Sequence, residues 1–227
     1  MFSDKRTKYL ALLFLLALLV RVLFVSFYPH EEQPDESSWK NAAIALSSGQ
    51  GFGDGRRHPG HIVFLSVVFR VFGDGNITAV RLVQSILGAL QVILLFLLTQ
   101  RIFKKELVSW LAAVFLTFYP YAIYHTAHLL CESFYSFMLT LLFYLVFSLL
   151  RGKRTVLFSI FGGVTFGIAV LTKSVVLIVF PFIIAWFAVH RIGWKPSVMF
   201  LAAAGLIILP QTAQNYKRYG EFVLVSL

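Results

Sequence analysis

Predominantly apolar runs of 15 to 22 residues recur along this chain and limit what it can fold into. A helix needs about 20 apolar residues to cross the hydrocarbon core of a bilayer. The runs are continuous, whereas the strands of membrane barrels alternate apolar and polar residues. Charged residues make up 13% of the 227 positions and hydrophobic residues 59%, while soluble domains carry about 25% charged residues. The sequence therefore predicts an all-α fold, a polytopic membrane helix bundle.

Seven runs are candidate spans. The first is preceded by basic residues, but it is too long for a signal peptide and lacks a small-residue cleavage site, so we interpret it as a retained anchor. The net charge of +10 is explained by basic residues that flank the spans and attract anionic head groups, and it does not indicate nucleic-acid binding. The predicted spans are 9–28, 79–100, 107–124, 129–150, 155–172, 175–190 and 197–211.

Basic clusters separate alternate spans and set the predicted sidedness. They comprise Arg101, Lys104 and Lys105, then Arg151, Lys153 and Arg154, then Arg191 and Lys195. Placing them inside satisfies the positive-inside rule. Counting the short run 60–72 as a crossing would reverse every later loop, so we predict an interfacial or re-entrant helix there. Residues 29–78 then form one external loop of an integral, multi-pass protein, and nearly all the residues capable of chemistry lie on this outer side. The expected location is the prokaryotic plasma membrane, with the active face outside.

Five of the ten acidic residues fall between positions 31 and 54 of that loop. Asp35 and Glu36 follow Pro34, and this order indicates a helix start in which Asp35 caps the helix 36–48 and Glu36 favours the positive end of the dipole. A catalytic or metal-binding role for Asp35 is the alternative, and the two roles are compatible. The apolar positions Trp39, Ala42, Ala43 and Leu46 recur at helical spacing. They predict an amphipathic helix whose apolar face lies on the bilayer, with Trp39 at the interface.

Several other polar residues are candidates for a site at this face. Arg81 lies just inside a predicted span and Lys173 lies between two spans; each either snorkels to the head groups or contacts a lipid phosphate. Arg57 and His58 are solvated loop residues or phosphate ligands. Glu132 begins a span that is otherwise uncharged, so it is a functional residue or an ion-pair partner of Arg81 or Lys173.

Three further features allow more than one interpretation. The loop with Gly49, Gly51, Gly53 and Gly55 matches no nucleotide-binding fingerprint; it is a flexible hinge, or a close approach to a phosphate or a sugar. His125 and His128 would share a helix face and are candidate metal ligands, although no full ligand set surrounds them. Arg21, inside the first span, is expected to snorkel outward or to pair with a carboxylate.

The order of these motifs resembles a known family. A first span with Arg21 is followed by Asp35-Glu36, the loop "GQGF" and His58-Pro59, and then by "AVRLVQSILGAL", Glu132, "LTK" and the tail "QNYKRYGEFVLVS". This order is similar to that of GT-C membrane glycosyltransferases of the protein O-mannosyltransferase and aminoarabinose-transferase type, over nearly the whole chain. Two departures are His58-Pro59-Gly60 in place of His-Pro-Pro, and Gln214-Asn215 where Arg-Asn is frequent.

The resemblance implies an enzyme that takes a sugar from a polyprenyl- or dolichyl-phosphate donor on the outer face and transfers it with inversion to a glycan, lipid or protein acceptor. It implies that Asp35, Glu36 and Glu132 are the catalytic carboxylates. Arg81 and Lys173 would bind the donor phosphate, with Arg57 and His58 as further candidates. No cofactor is assigned, and a divalent cation is left open.

The resemblance also sets the expected domain organisation. Residues 1–211 would form the transmembrane module, and residues 212–227 would begin an external part that longer family members possess. We therefore expect a fragment, a truncated gene or half of a two-part enzyme. The competing functions are a transporter or flippase for a lipid-linked glycan, which would need the cations but no base, and an inactive truncated module.

Overall fold

A computed structural model describes residues 4–29, 32–52, 57–151 and 155–225. Within these ranges the chain forms α-helices and short 3-10 turns without a strand, which confirms the all-α prediction. Gly53, Gly55, Lys153 and Arg154, which entered the predictions above, lie outside the described residues. The helices are α1 Asp4–Phe27, α2 Pro34–Ser47, α3 Pro59–Phe72, α4 Ile77–Phe103, α5 Glu106–Phe118, α6 Pro120–Tyr124, α7 Glu132–Ser148, α8 Thr155–Thr172, α9 Phe180–Val189 and α10 Trp194–Tyr219.

All seven predicted spans coincide with helical structure. Four helices of the described chain (α1, α4, α8 and α10) are long and apolar enough to cross a membrane, and α5 with α6 makes a fifth candidate that is bent by 49° at Pro120. The remaining two segments, α7 and 174–189, are apolar but shorter. Seven spans are compatible with this arrangement. Helix α10 continues to Tyr219, beyond the predicted end at residue 211.

Side-chain contacts show how the helices run. Helices α4 and α7 are parallel, because Gln91 bonds to Thr140 and Arg101 bonds to Tyr144 further along both helices. Helices α8 and α10 are also parallel and very close. A Cβ atom added at Gly163 would lie 2.2 Å from the carbonyl oxygen of Phe200. Two parallel spans must be separated by an odd number of membrane crossings. The two parallel pairs therefore support an arrangement in which successive apolar segments cross in alternating directions.

Helix α3 begins and ends at the same end of the bundle. A Cβ atom at Gly60, in its first turn, would lie 2.6 Å from the Oγ1 atom of Thr172, the last residue of α8. Its last residue, Phe72, is followed by a short link to α4, whose first turns contact the same end. The 14 residues span about 21 Å, less than the ~30 Å of a hydrocarbon core. This geometry supports the prediction that the run 60–72 does not cross.

Helix α2 packs against α3 through the predicted apolar face. Trp39 is only 5% exposed and Ala43 is fully buried, and both contact the cluster formed by Ile62, Leu65 and Phe69. The helical spacing therefore identified the apolar face of α2 correctly, but the prediction that Trp39 lies at the lipid interface is wrong. Helix α3 offers a complementary apolar face, and burial against it removes both surfaces from water.

Arg21 differs from both predictions made for it. Its side chain is fully buried, and its Nη1 and Nη2 atoms donate to the carbonyl oxygens of Ala17 (3.0 Å) and Leu116 (3.3 Å). Within the described ranges no carboxylate pairs with it. The guanidinium fits because α4 has Gly88 at the crossing, where a Cβ atom would lie 2.4 Å from Arg21 Nε.

The bundle has two chemically different ends. We call one the basic end; it includes the first turn of α1 and the links α4–α5 and α9–α10, with Lys5, Arg6, Lys104, Lys105, Arg191 and Lys195. We call the other the carboxylate end; it includes the starts of α2, α3 and α7 and the ends of α8 and α10. Asp35, Glu36 and Glu132 all lie at the carboxylate end, where the site is built.

Candidate active site

The first turn of α2 presents the two adjacent carboxylates. Pro34 is the first helical residue, where its missing N–H costs nothing, and Gln33 is the cap but makes no capping bond through its side chain. Asp35 and Glu36 therefore lie inside the first turn, where the helix dipole favours negative charge. The dipole interpretation is consistent with this position, whereas the prediction that Asp35 is the capping residue is wrong.

Asp35 faces solvent and is held by Arg57. The Nη2 atom of Arg57 donates to Asp35 Oδ1 at 2.7 Å, and the Asp35 side chain remains 67% exposed. Arg57 is itself fixed, because its Nε atom donates to Ser38 Oγ at 3.2 Å and its guanidinium lies 5.2 Å from the ring centre of Trp39. The arrangement orients an accessible carboxylate without burying it.

Glu36, one residue later, has the opposite environment. It is fully buried; its Oε1 atom accepts from His128 Nδ1 at 2.7 Å and from the backbone N–H of Leu129 at 3.1 Å. Substrate cannot reach such a group directly, so its position does not fit the catalytic role that the sequence suggested. Glu36 instead fixes the turn before α7 against α2.

Helix α4 supports the same turn from the other side. Arg81, only 9% exposed, donates through Nη2 to the carbonyl oxygen of Tyr28 at 3.0 Å and interacts electrostatically with Glu36. One turn later, Gln84 Nε2 donates to the carbonyl oxygens of His128 (2.7 Å) and Thr126 (3.3 Å). Arg81 therefore lies beneath the surface of the site, behind Glu36, and not at its mouth.

Glu132 and Lys173 form an ion pair across two helices. Lys173 Nζ lies 2.8 Å from Glu132 Oε1, and both side chains are partly exposed. Partial burial, the largest single influence, lowers the pKa of the Lys173 ammonium, but the hydrogen bond to Glu132 and the nearby groups that can carry negative charge together outweigh it, so the pKa is raised above its ordinary value. The ion-pair prediction for Glu132 is confirmed, with Lys173 as its partner and not Arg81.

His58 connects the two charged pairs. It is the residue before α3, and partial burial, then the positive charge of Lys173, then that of Arg57 lower the pKa of its imidazole below the ordinary value. Both cations act on this imidazole, and Gly60, two residues after His58, packs against Thr172, the neighbour of Lys173. Asp35, Arg57, His58, Glu132 and Lys173, which the sequence singled out separately, are thus brought into one region.

Two residues that position this region were missed by sequence reasoning. His61 is fully buried in α3, and its Nε2–H donates to the carbonyl oxygen of Leu129 at 2.9 Å. Gln84 holds the same turn, as described above. The spacing gave a signal for both: Gln84 lies three residues after Arg81, on the same helix face, and His61 lies in the first turn of the helix that His58 precedes.

The metal prediction fails on geometry. The turn that begins at His125 ends at Ala127, and His128 has extended backbone angles, so the two histidines do not share a helix face. His128 donates to Glu36, and His125 packs against the rings of Tyr121 and Tyr124. In the described part of the chain, no three His, Cys, Asp or Glu side chains are grouped as a metal site requires.

Two cavities adjoin the charged pairs. One, of about 310 Å³, reaches from Glu132 and His125 into the bundle as far as Gln91. The other, of about 550 Å³, lies between Arg57 and the last turns of α10, where Gln214 and Lys217 line it. An accessible carboxylate, cations and adjoining space at one end of a membrane bundle can bind an anionic head group and remove a proton from a second molecule.

Comparison with protein families identifies the chain's relatives. A family model described as dolichyl-phosphate-mannose-protein mannosyltransferase matches residues 57–213, which is 157 of the 227 residues. The match includes Arg57, His58, Arg81, Glu132 and Lys173 and begins after Asp35 and Glu36. No curated protein and no solved structure matches the chain. The resemblance seen in the sequence is confirmed: this chain belongs to the dolichyl-phosphate-mannose-protein mannosyltransferase family.

Proposed function

We propose that the chain is a membrane glycosyltransferase that takes a sugar from a polyprenyl- or dolichyl-phosphate donor and transfers it, with inversion, to an acceptor on the outer face of the membrane. The observation that carries this proposal is the exposed Asp35 carboxylate, held 2.7 Å from Arg57, beside a second cation, Lys173, that acts on the same histidine as Arg57. Family membership supports the donor class.

Asp35 is the proposed general base. As an acceptor hydroxyl or amine attacks the anomeric carbon, it must lose its proton, and a carboxylate within hydrogen-bond reach can accept it, an effect of about 10²–10⁴-fold. Asp35 is exposed enough to meet an acceptor, and Arg57 restricts its orientation. The bond from the anomeric carbon to the phosphate oxygen breaks on the opposite face, so the configuration inverts.

Arg57, His58 and Lys173 are the proposed phosphate ligands. The electron pair of the breaking bond stays on the lipid phosphate, and cations in a partly desolvated site stabilise that charge more strongly than they would in water. Lys173 is partly exposed and already held by Glu132 at 2.8 Å. In this proposal Glu132 positions Lys173, while Arg81 and Glu36 support the site from beneath.

The proposal is tested by transfer from a radiolabelled polyprenyl-phosphate sugar in proteoliposomes that contain purified protein. Asp35→Asn should abolish both transfer and donor hydrolysis while the protein keeps its helicity. Glu32→Gln is the matched control, because Glu32 is a carboxylate of the same segment that pairs with Lys40 at 2.9 Å; its activity should remain. Transfer by Asp35→Asn at the wild-type rate would remove Asp35 from the mechanism.

The outer location is tested separately by labelling. In a Cys131→Ser background, a cysteine placed at Ser37, on α2, should react with a membrane-impermeant maleimide added to intact cells. A cysteine placed at Lys104, at the basic end, should react only after the cells are opened. The reverse pattern would overturn the outside placement, whatever the activity assay shows.

A further inference from the structure

A groove at the basic end is separate from the site described above. Its volume is about 550 Å³, and it lies between α1 and α5. Lys5, Arg6 and Glu106 form its mouth, and Leu12, Leu16 and Val114 line its deeper part. The mouth of the groove is charged and its deeper part is apolar. This lining is complementary to a molecule with a polar head and an apolar tail.

The charges at the mouth are held in place by aromatic rings. Arg6 lies 5.1 Å from the ring centre of Phe96, and its Nε atom is 4.0 Å from Glu106 Oε1. The Nε1–H of Trp110 donates to the same carboxylate oxygen at 3.4 Å, and Tyr9 meets the Trp110 ring edge-on at 6.5 Å. Tyrosine and tryptophan favour the head-group level of a bilayer. A fixed guanidinium at that level matches phosphate geometry.

The length of the groove matches one leaflet. From Arg6 to Leu16 the helix rises about 15 Å, which is half of the ~30 Å hydrocarbon core. Leu12 and Leu16 are 61% and 42% exposed, and Val114 on the facing helix is 43% exposed. An apolar chain along these residues would end near the bilayer centre, as an acyl chain does.

We propose that this groove binds an anionic phospholipid, with its phosphate at Lys5 and Arg6 and one acyl chain along Leu12, Leu16 and Val114. The described charged residues that line the mouth are two cations and one carboxylate, so a head group with one net negative charge balances these three. A zwitterionic head group would leave one positive charge unbalanced and would bring its own cation beside two others. Basic pockets between membrane helices recognise anionic head groups in this way.

Native mass spectrometry of the purified protein tests the proposal. Phosphatidylglycerol and phosphatidylcholine with identical acyl chains are titrated into the delipidated protein. We expect tighter binding of phosphatidylglycerol, and a loss of about 10- to 30-fold in its affinity in the Lys5→Gln/Arg6→Gln variant, as expected for two cations at a head group. The charge-matched control Lys8→Gln/Lys104→Gln, at the same end but outside the groove, should change this affinity less than about twofold.

A second pair of variants tests the apolar part independently of charge. Leu16→Trp should fill the groove and weaken phosphatidylglycerol binding, whereas Leu19→Trp, an exposed position of the same helix outside the groove, should not. Equal affinities of the wild-type chain for the two lipids, or equal losses in a variant and its control, would overturn the proposal. So would tighter binding of phosphatidylethanolamine than of phosphatidylglycerol, because Glu106 would then select an ammonium head group.

Discussion

The Nζ atom of Lys173 lies 2.8 Å from the Oε1 atom of Glu132, which joins the end of α8 to the start of α7. The pair is partly buried, so its attraction is less screened than that of a surface pair. It ties together two helices that both contribute to the site. Any ligand phosphate that binds Lys173 must share the ammonium with Glu132.

A double-mutant cycle should measure this pair. Glu132→Gln and Lys173→Met should each lower the free energy of unfolding, and the double variant should lose less than the sum, with a coupling of about 1–2 kcal/mol. Cys131 is buried beside Glu132 and is the one cysteine of the chain, so thermal unfolding in detergent can be followed with a thiol-reactive dye. Strictly additive losses would contradict a direct interaction.

Glu36 should behave differently from its neighbour Asp35. We expect Glu36→Gln to lower the free energy of unfolding by about 2–3 kcal/mol, because a buried acceptor of two hydrogen bonds is changed. Hydrogen exchange at 125–131 should rise, since Glu36 holds His128 and Leu129. Asp35→Asn should leave that exchange unchanged. Equal stability and exchange in the two variants would contradict the positioning role of Glu36.

His58 should make stability depend on pH. Its pKa in the folded protein is lowered by burial and by Lys173 and Arg57, so the unfolded chain, with a histidine pKa near 6.5, binds the proton more readily. The stability that depends on His58 is therefore complete above about pH 6.5 and falls as the pH drops from there through the lowered pKa. His58→Gln should reduce the loss of unfolding temperature between pH 7.5 and 5.5. His190→Gln, an exposed histidine at the basic end, is the control and should not.

Close packing of α8 on α10 should make Gly163 intolerant of a side chain. A Cβ atom there would lie 2.2 Å from the backbone oxygen of Phe200, so Gly163→Ala must separate the helices, at about 1–3 kcal/mol or more. Gly205→Ala on α10 would meet only the Leu209 side chain, at 3.8 Å. That variant should be neutral or more stable by up to about 1 kcal/mol. Equal effects in thermal unfolding would argue against the tight α8–α10 contact.

The sequence predicted the helices well because continuous apolar runs determine where a chain can enter a bilayer. It also separated the basic clusters from the acidic loop, and the structure places the described members of the two groups, among them Lys104 and Arg191 on one side and Asp35 and Glu36 on the other, at opposite ends. The limits of single helices were less accurate: α10 continues to Tyr219, because its last turns are polar and a hydropathy pattern cannot follow a helix into water.

Burial at the site could not be predicted in the same way. Asp35 and Glu36 are adjacent and chemically similar, yet the first is exposed and the second fully buried. The difference arises from a turn 92 positions away that covers one face of α2. Helical spacing identified the apolar face with Trp39 but not the helix that covers it. Long-range contacts of this kind leave no local signal in the sequence.

The enclosed Arg21 has a consequence for biogenesis. Of its two carbonyl partners, Ala17 is on the same helix, but Leu116 is 95 positions downstream, and the glycine that admits the side chain is Gly88. When the first hydrophobic segment leaves the ribosome, neither Gly88 nor Leu116 has emerged. An arginine left among lipid tails costs about 2.5–3.5 kcal/mol on insertion scales. The newly made α1 must therefore remain at the translocon, or lie in the bilayer with water drawn in around Arg21, until α4 and α5 have been inserted.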